Sequence, residues 1–92
     1  MKYLEWLAKG KYQQDGEDRW SRITTAGGLL CKENGKLRIT VIKTGNLFQM
    51  SVRAFSGVFW VDMAAYQLDE DCLIRRGNQI EMRLVDAWRE FN

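Results

Sequence analysis

The sequence predicts an α+β fold: a twisted antiparallel sheet of four to five strands, with an N-terminal helix and a second helix near residues 62–72. Three observations lead to this prediction. Residues 37–43 alternate between apolar and polar side chains, which is typical of a strand with one buried face. Asn34-Gly35 precedes this stretch and Gly45-Asn46 follows it, and both pairs favour the tight turns of β-hairpins. The 92 residues are expected to form one domain, 1–92.

The first part of the chain supplies a helix and a strand. Residues 2–14 carry apolar side chains at helical spacing, which predicts the N-terminal helix. The acidic stretch 15–18 is expected to be a charged turn, with a cation-binding loop as the alternative. Residues 19–25 alternate and predict the first strand. Gly27-Gly28 then indicates a sharp bend, as at the corners of small barrels, so an OB-like barrel is an alternative to an open meander.

The two tight turns define the register of the central strand. A two-residue loop before it places Cys31 opposite Arg38, and a two-residue loop after it places Ile39 opposite Val52. One face of the sheet is then almost entirely apolar, and a shift of one residue would mix the two faces. The apolar face consists of Leu37, Ile39, Val41, Phe48, Met50, Val52 and Ala54.

A third tight turn is predicted at Ser56-Gly57. It places Arg53 opposite Trp60 on the other face of the sheet. The same register puts Arg38 opposite Arg53, and like charges directly opposite each other destabilise a sheet. Solvent, a cation–π contact between Arg53 and Trp60, or an anionic ligand would each explain this face.

The last third of the chain allows two interpretations. Asp62 is expected to cap the second helix, and Gly77 is expected to lie just beyond its end. Residues 79–85 alternate, which favours a strand followed by a short helical tail at 86–91. The alternative is a helix capped by Asn78. Its apolar stripe would be Ile80, Leu84, Trp88 and Phe91.

The composition argues against most enzyme classes. The chain has no histidine, which removes the commonest general base, the Ser-His-Asp triad and most zinc sites. Its glycines fit neither a P-loop nor a dinucleotide fingerprint. A metal-dependent nuclease built from carboxylates is the remaining enzymatic alternative. We therefore expect a non-enzymatic binding protein without cofactors.

The absence of a long apolar run and of a signal-peptide pattern predicts a cytoplasmic protein without a membrane partner. Cys31 and Cys72 are then expected to be reduced thiols, with a disulfide between them as the alternative.

Basic and aromatic residues concentrate in the middle of the chain. The formal net charge is only +2, but residues 32–60 contain five basic side chains and one acidic side chain. Single-stranded nucleic acid is held by aromatic rings that stack on bases and by Lys and Arg that follow the phosphates. Alternatively, the lysines are solvated loop residues, and Phe55 and Trp60 form a second core layer under the helices. The candidate binding residues are Arg38, Arg53, Trp60, Phe55, Lys36, Lys43, Lys32 and Trp20.

Residues 72–84 (CLIRRGNQIEMRL) resemble the end of the helix and the following strand of bacterial single-stranded DNA-binding proteins. Gly28-Leu29-Leu30, Asn34-Gly35 and the strand after them resemble the first hairpin of that family. The resemblance covers about half of the chain and implies an OB-fold that binds single strands. The chain departs from the family at Met82-Arg83, which replaces a glycine, and it lacks the acidic tail.

In overall character, the short and motif-poor chain resembles the small inhibitors that phages encode, the anti-CRISPR proteins among them. This resemblance implies a bacterial host cell and a nucleoprotein partner such as an RNA-guided surveillance complex. The acidic segments 15–18 and 69–71 would then act as phosphate mimics.

Overall fold

The computed structural model describes residues 2–25, 36–55 and 60–91 and confirms the α+β fold. Its elements are α1 (Lys2–Lys9), β1 (Gln13–Gly16), β2 (Arg19–Thr25), β3 (Lys36–Thr44), β4 (Leu47–Phe55), β5 (Trp60–Asp69) and α2 (Glu70–Phe91). The five antiparallel strands form one sheet in the order β1-β2-β3-β4-β5. Within these described ranges β1 and β5 are the two edges, so the sheet is an open meander and not a closed barrel.

The central hairpin of β3 and β4 has the predicted register. Gly45 adopts a φ of +61° in the tight turn between the strands, a conformation that glycine reaches without steric cost. Ile39 pairs with Val52 and Arg38 pairs with Arg53, as the turn signal indicated. The apolar side chains of both strands therefore lie on one face of the sheet.

Both helices pack on this apolar face. Leu7 of α1 and Leu73, Ile80 and Leu84 of α2 join the strand residues in one buried cluster, in which Ile39 is fully buried. Burial of each such side chain contributes about 1.5–3 kcal/mol. α2 contacts β4 and β5 directly and also packs against α1.

The opposite face of the sheet, which we call the open face, is covered by neither helix. It consists of alternate residues of four strands: Arg19 to Ile23, Lys36 to Ile42, Gln49 to Arg53, and Ala65 to Gln67. Each of these residues is exposed or half-buried.

The N-terminal helix is shorter than predicted. The amide of Tyr12 donates a hydrogen bond to the carbonyl oxygen of Leu7 at 3.0 Å, and Lys11 adopts a left-handed φ of 60°. These features end the helix in the manner of a Schellman motif. Residues 13–16 then form β1 along the edge of β2, where helix and turn were expected.

On the side away from β4, β3 pairs with β2 over residues 36–42. Ile23 pairs with Arg38, so the predicted pairing of Cys31 with Arg38 is wrong. All seven residues of β2 pair with β3, and residues 26–35 connect the two strands. The local turn signal at Asn34-Gly35 lies outside the described residues, and so does Lys32.

A β-bulge in β5 explains why a helix was predicted near residues 62–72. Arg53 pairs with Asp62, whereas Val52 pairs with Ala64, which leaves Met63 as an extra residue. One extra residue breaks the strict alternation of the strand. The positions opposite core residues of β4 are 61, 64, 66 and 68. The spacing of 61, 64 and 68 also fits a helix, so the periodicity was misleading.

α2 is a continuous helix of 22 residues, and the predicted strand at 79–85 is wrong. The side chain of Asp69 accepts a hydrogen bond from the amide of Cys72 at 2.7 Å, so Asp69 caps the helix and Asn78 lies in its interior. Residues 72–84, which resemble part of the single-stranded DNA-binding proteins, therefore lie entirely within α2.

Candidate nucleic-acid interface

Two arginines from adjacent strands lie side by side on the open face. Arg38 of β3 pairs directly with Arg53 of β4, as predicted. Arg53 is exposed and Arg38 is half-buried. Directly opposite residues in antiparallel strands have Cα atoms about 4.5–5.5 Å apart. The two side chains therefore start from neighbouring points of the open face, and Arg53 is the more exposed of the two.

The aromatic candidates form the next pair on the same side of the sheet. Phe55 pairs with Trp60, and Arg53 pairs with Asp62. The predicted pairing of Arg53 with Trp60 is wrong, because residues 56–59 connect β4 and β5 where a two-residue turn was expected.

The positions of the two helices matter for the alternative interpretation, in which Phe55 and Trp60 form a second core layer under the helices. By strand alternation, the backbone positions of Phe55 and Trp60 belong to the side of the sheet that carries Arg53. α1 and α2 contribute their buried residues to the other side. Within the described ranges, neither helix covers the positions of the two aromatic residues.

One carboxylate, that of Asp15, lies beside Arg38 at the β1 edge. Asp15 accepts hydrogen bonds from the Ser21 hydroxyl at 2.6 Å and from Arg19 Nε at 2.9 Å. The Ser21 hydrogen bond, followed by the hydrogen bond and charge of Arg19 and the charge of Arg38, holds the pKa of Asp15 below its usual value. Part of the positive charge of the open face is therefore balanced within the chain.

A cleft of about 640 Å³ opens beside Arg38 at this edge. Its lining includes three basic residues, Lys11, Arg22 and Arg38, and one acidic residue, Asp15. Ligand-binding clefts in proteins are typically about 300–1,000 Å³. The cleft therefore extends the basic surface from the sheet to the end of α1.

Two further basic residues belong to the open face. Lys36, a predicted candidate, is exposed at the start of β3 and lies on the same face as Arg38. Arg19 of β2 was not among the predicted candidates, although it pairs with Ile42 of the open face. The alternation of residues 19–25 was the signal that would have identified it.

Trp20 does not belong to the interface. It is 7% exposed and packs edge-to-face against Tyr3 of α1, with ring centroids 6.0 Å apart. Its neighbours on β2, Arg19 and Ser21, take the open side, so strand alternation turns Trp20 into the core. The prediction that Trp20 joins the binding face is therefore wrong.

Lys43 also lies away from the open face. It pairs with Phe48, whose side chain is buried in the core. Its ammonium group lies 6.0 Å from the centroid of the Tyr3 ring and donates a hydrogen bond to the carbonyl oxygen of Gly45 at 2.9 Å. Lys43 therefore covers the rim of the core beside α1.

The acidic segment at the start of α2 is exposed. Asp69 caps the helix, and Asp71 forms an ion pair with Arg75 at 2.8 Å.

Within the described parts of the chain, no group of three or more His, Cys, Asp or Glu side chains is placed to hold a metal ion. Cys72 is a half-buried free thiol. None of the described helices is both long and apolar enough to cross a membrane.

Comparisons with protein-family models, with curated proteins and with solved structures give no match for this chain. The functional argument therefore depends on the geometry and chemistry of the open face.

Proposed function

We propose that this chain is a non-enzymatic protein that binds single-stranded nucleic acid, free or within a nucleoprotein complex, in the bacterial cytoplasm. The observation that carries the proposal is the arginine pair, Arg38 and Arg53, on a face that neither helix covers. The backbone positions of Phe55 and Trp60 lie next to this pair.

The two kinds of side chain have separate roles. Stacking of a base on an aromatic ring contributes about 1–3 kcal/mol and tolerates different sequences. The arginines bind phosphate oxygens and fix the path of the backbone. Because a sheet face is flat and exposed, it suits unstacked bases better than it suits the grooves of a duplex.

The affinity of this face for nucleic acid is expected to depend on salt, because binding of phosphates by Arg38 and Arg53 releases counterions condensed on the strand. Asp15 lies close enough to Arg38 to feel its charge, so a phosphate at Arg38 also competes with this carboxylate. For single strands, the logarithm of the binding constant falls with a slope of about −0.7 per neutralised phosphate.

The test is a titration of a fluorescently labelled single-stranded oligonucleotide, followed by anisotropy at several salt concentrations. Arg53→Glu is expected to weaken binding at least about tenfold, because it reverses one charge of the pair. Arg75→Glu is the matched control, because Arg75 is exposed on α2 and paired with Asp71. Circular dichroism checks that both variants are folded.

Two results would overturn the proposal. One is the absence of binding by the wild-type protein at low salt. The other is an equal loss of affinity in the Arg53→Glu and Arg75→Glu variants, because binding would then depend only on net charge.

A second candidate is a phage-encoded inhibitor of the anti-CRISPR type, which docks on a host RNA-guided complex and blocks its nucleic-acid binding. The exposed acidic residues Asp69, Glu70 and Asp71 favour it, because such a cluster resembles a run of phosphates. This candidate predicts tight binding to the complex, little affinity for naked oligonucleotides, and loss of binding in Glu70→Lys but not in Arg53→Gln.

A further inference from the structure

The two edges of the sheet differ in how well they resist pairing with another strand. β1 has only four residues, and its pairing with β2 shifts between Gln14 and Gly16. Asp15 at this irregularity carries a charge. Short length, a bulge and charge are the devices by which proteins protect an edge strand.

The β5 edge lacks these devices over much of its length. After the bulge at Met63, residues 64–69 pair regularly with β4, and no described strand pairs with their outer side. Residues 64–68 contain neither a charged side chain nor proline. Tyr66 is 44% exposed although it pairs with the buried Met50. An exposed, regular and uncharged edge is a template for another strand.

We propose that β5 pairs with β5 of a second copy of the chain, antiparallel, about a two-fold axis at Tyr66. Tyr66 then lies opposite Tyr66 of the second copy. Leu68 lies opposite Ala64 and Ala65 lies opposite Gln67, each twice by symmetry. The helix sides of the two sheets become continuous, because pairs across an antiparallel ladder share a face.

Charge permits this register and limits its length. Asp69 lies opposite Met63 of the second copy, so no carboxylate opposes another between 63 and 69. One step further, Asp62 would oppose Glu70. Like charges at both ends therefore confine the ladder to these seven positions.

The consequence is a ten-stranded sheet with four helices on one side and two open faces on the other. Each subunit keeps its own arginine pair, because Arg38 and Arg53 lie on β3 and β4 and not on the edge. The dimer does not depend on nucleic-acid binding. Added salt screens the end carboxylates and leaves the dimer intact, whereas it weakens oligonucleotide binding.

The test is sedimentation equilibrium over a range of protein concentrations, without oligonucleotide. The wild-type chain is expected to be a dimer. Tyr66→Lys and Tyr66→Glu are each expected to raise the dimer dissociation constant at least about tenfold, because like charges then meet on the axis. An equimolar mixture of the two variants is expected to recover dimers, since the introduced Lys and Glu lie opposite each other.

Ile23→Lys is the matched control. Ile23 is also an exposed apolar residue, 52% exposed, but it lies on β2 away from β5. Recovery of dimers in the mixture also shows that both Tyr66 variants are folded. The proposal is overturned if the wild-type chain stays monomeric at about 100 μM. It is equally overturned if both Tyr66 variants dimerise as the wild type does.

Discussion

At the scale of single residues, Gly77 shows how the two helices come together. It lies inside α2, where glycine normally costs about 1 kcal/mol relative to alanine. A Cβ atom at this position would lie 2.5 Å from Cζ2 of Trp6. The indole of Trp6 also packs against Tyr12, with ring centroids 5.5 Å apart. The glycine therefore permits the close approach of α1 to α2, and it does not end a helix as the sequence suggested.

This contact predicts the sign of the stability change that Gly77→Ala causes. Gly77→Ala is expected to destabilise the protein by about 1–3 kcal/mol, because the overpacking exceeds the gain in helix propensity. Denaturant unfolding followed by far-UV circular dichroism measures the change. Asn78→Ala, at the next and exposed position of α2, is the control and should have little effect or stabilise.

The same experiment in a Trp6→Ala background identifies the cause. Once the indole is gone, Gly77→Ala should stabilise the helix by up to about 1 kcal/mol, as it does in an open helix interior. If Gly77→Ala stabilises the wild-type protein, then Trp6 moves away without cost and the explanation fails.

At the scale of elements, a charged cluster fixes α2 across the sheet. Glu81 of α2 accepts hydrogen bonds from the Tyr12 hydroxyl at 2.7 Å and from Arg22 Nε of β2 at 2.9 Å. A terminal guanidinium nitrogen of Arg22 also contacts Glu81, and the Arg22 guanidinium lies 5.4 Å from the centroid of the Tyr12 ring. Burial, together with the charge of Glu81, raises the pKa of Tyr12 above its ordinary value, so its hydroxyl remains a donor.

Removal of one member of this cluster should cost more than removal of the whole ion pair. The side chains of Arg22 and Glu81 are only 27% and 14% exposed. Glu81→Leu leaves the arginine charge without its carboxylate and is expected to cost about 2–3 kcal/mol. Arg22→Met combined with Glu81→Leu should recover most of this loss, because no unpaired charge remains. Thermal and denaturant unfolding of the single and double variants measure both effects.

Arg75→Met provides the comparison for an exposed ion pair. Arg75 and Asp71 are 65% and 72% exposed, and loss of such a pair costs less than about 1 kcal/mol. If Glu81→Leu costs no more than Arg75→Met, the cluster does not hold α2 on the sheet.

The elements also show which parts of the fold can be predicted from sequence. Gly45-Asn46 is a local signal, and the register that it indicates for β3 and β4 is confirmed. Met63 is the extra residue of a bulge, whose position depends on how β5 pairs with β4, and no pattern within β5 itself marks it. This extra residue shifts the apolar positions of β5 toward helical spacing. Alternation in residues 79–85 was equally ambiguous, because Ile80 and Leu84 are also one helical turn apart.

In the candidate site too, the prediction that depended on the turn between β3 and β4 was correct, and one that depended on tertiary packing was not. The pairing of Arg38 with Arg53 follows from one local turn and is confirmed. The placement of Trp20 depended on which face β2 turns toward the helices, and that choice is made by tertiary packing against Tyr3. Asp62 pairs with Arg53 because four residues, 56–59, connect β4 and β5 where a two-residue turn was expected, so this pairing could not be predicted from the turn signal.

At the scale of the whole molecule, stability should fall from the centre of the sheet to its β1 edge. β3 has a neighbour on each side, and its core residues Leu37, Ile39 and Val41 are fully buried. β1 has four exposed residues and one described neighbour, β2. Amides that open only by global unfolding exchange with the full free energy of unfolding, whereas local openings need less.

Native-state hydrogen exchange measures this gradient directly. The amides of β3 and β4 are expected to exchange with a free energy equal to that of global unfolding, typically about 5–15 kcal/mol for a domain. The amides of β1 are expected to exchange with a free energy several kcal/mol lower, because β1 separates from β2 without exposing the apolar face. Equal protection of β1 and β3 would show that the sheet opens only as one unit, since the strand that contributes least buried surface would then unfold together with the core.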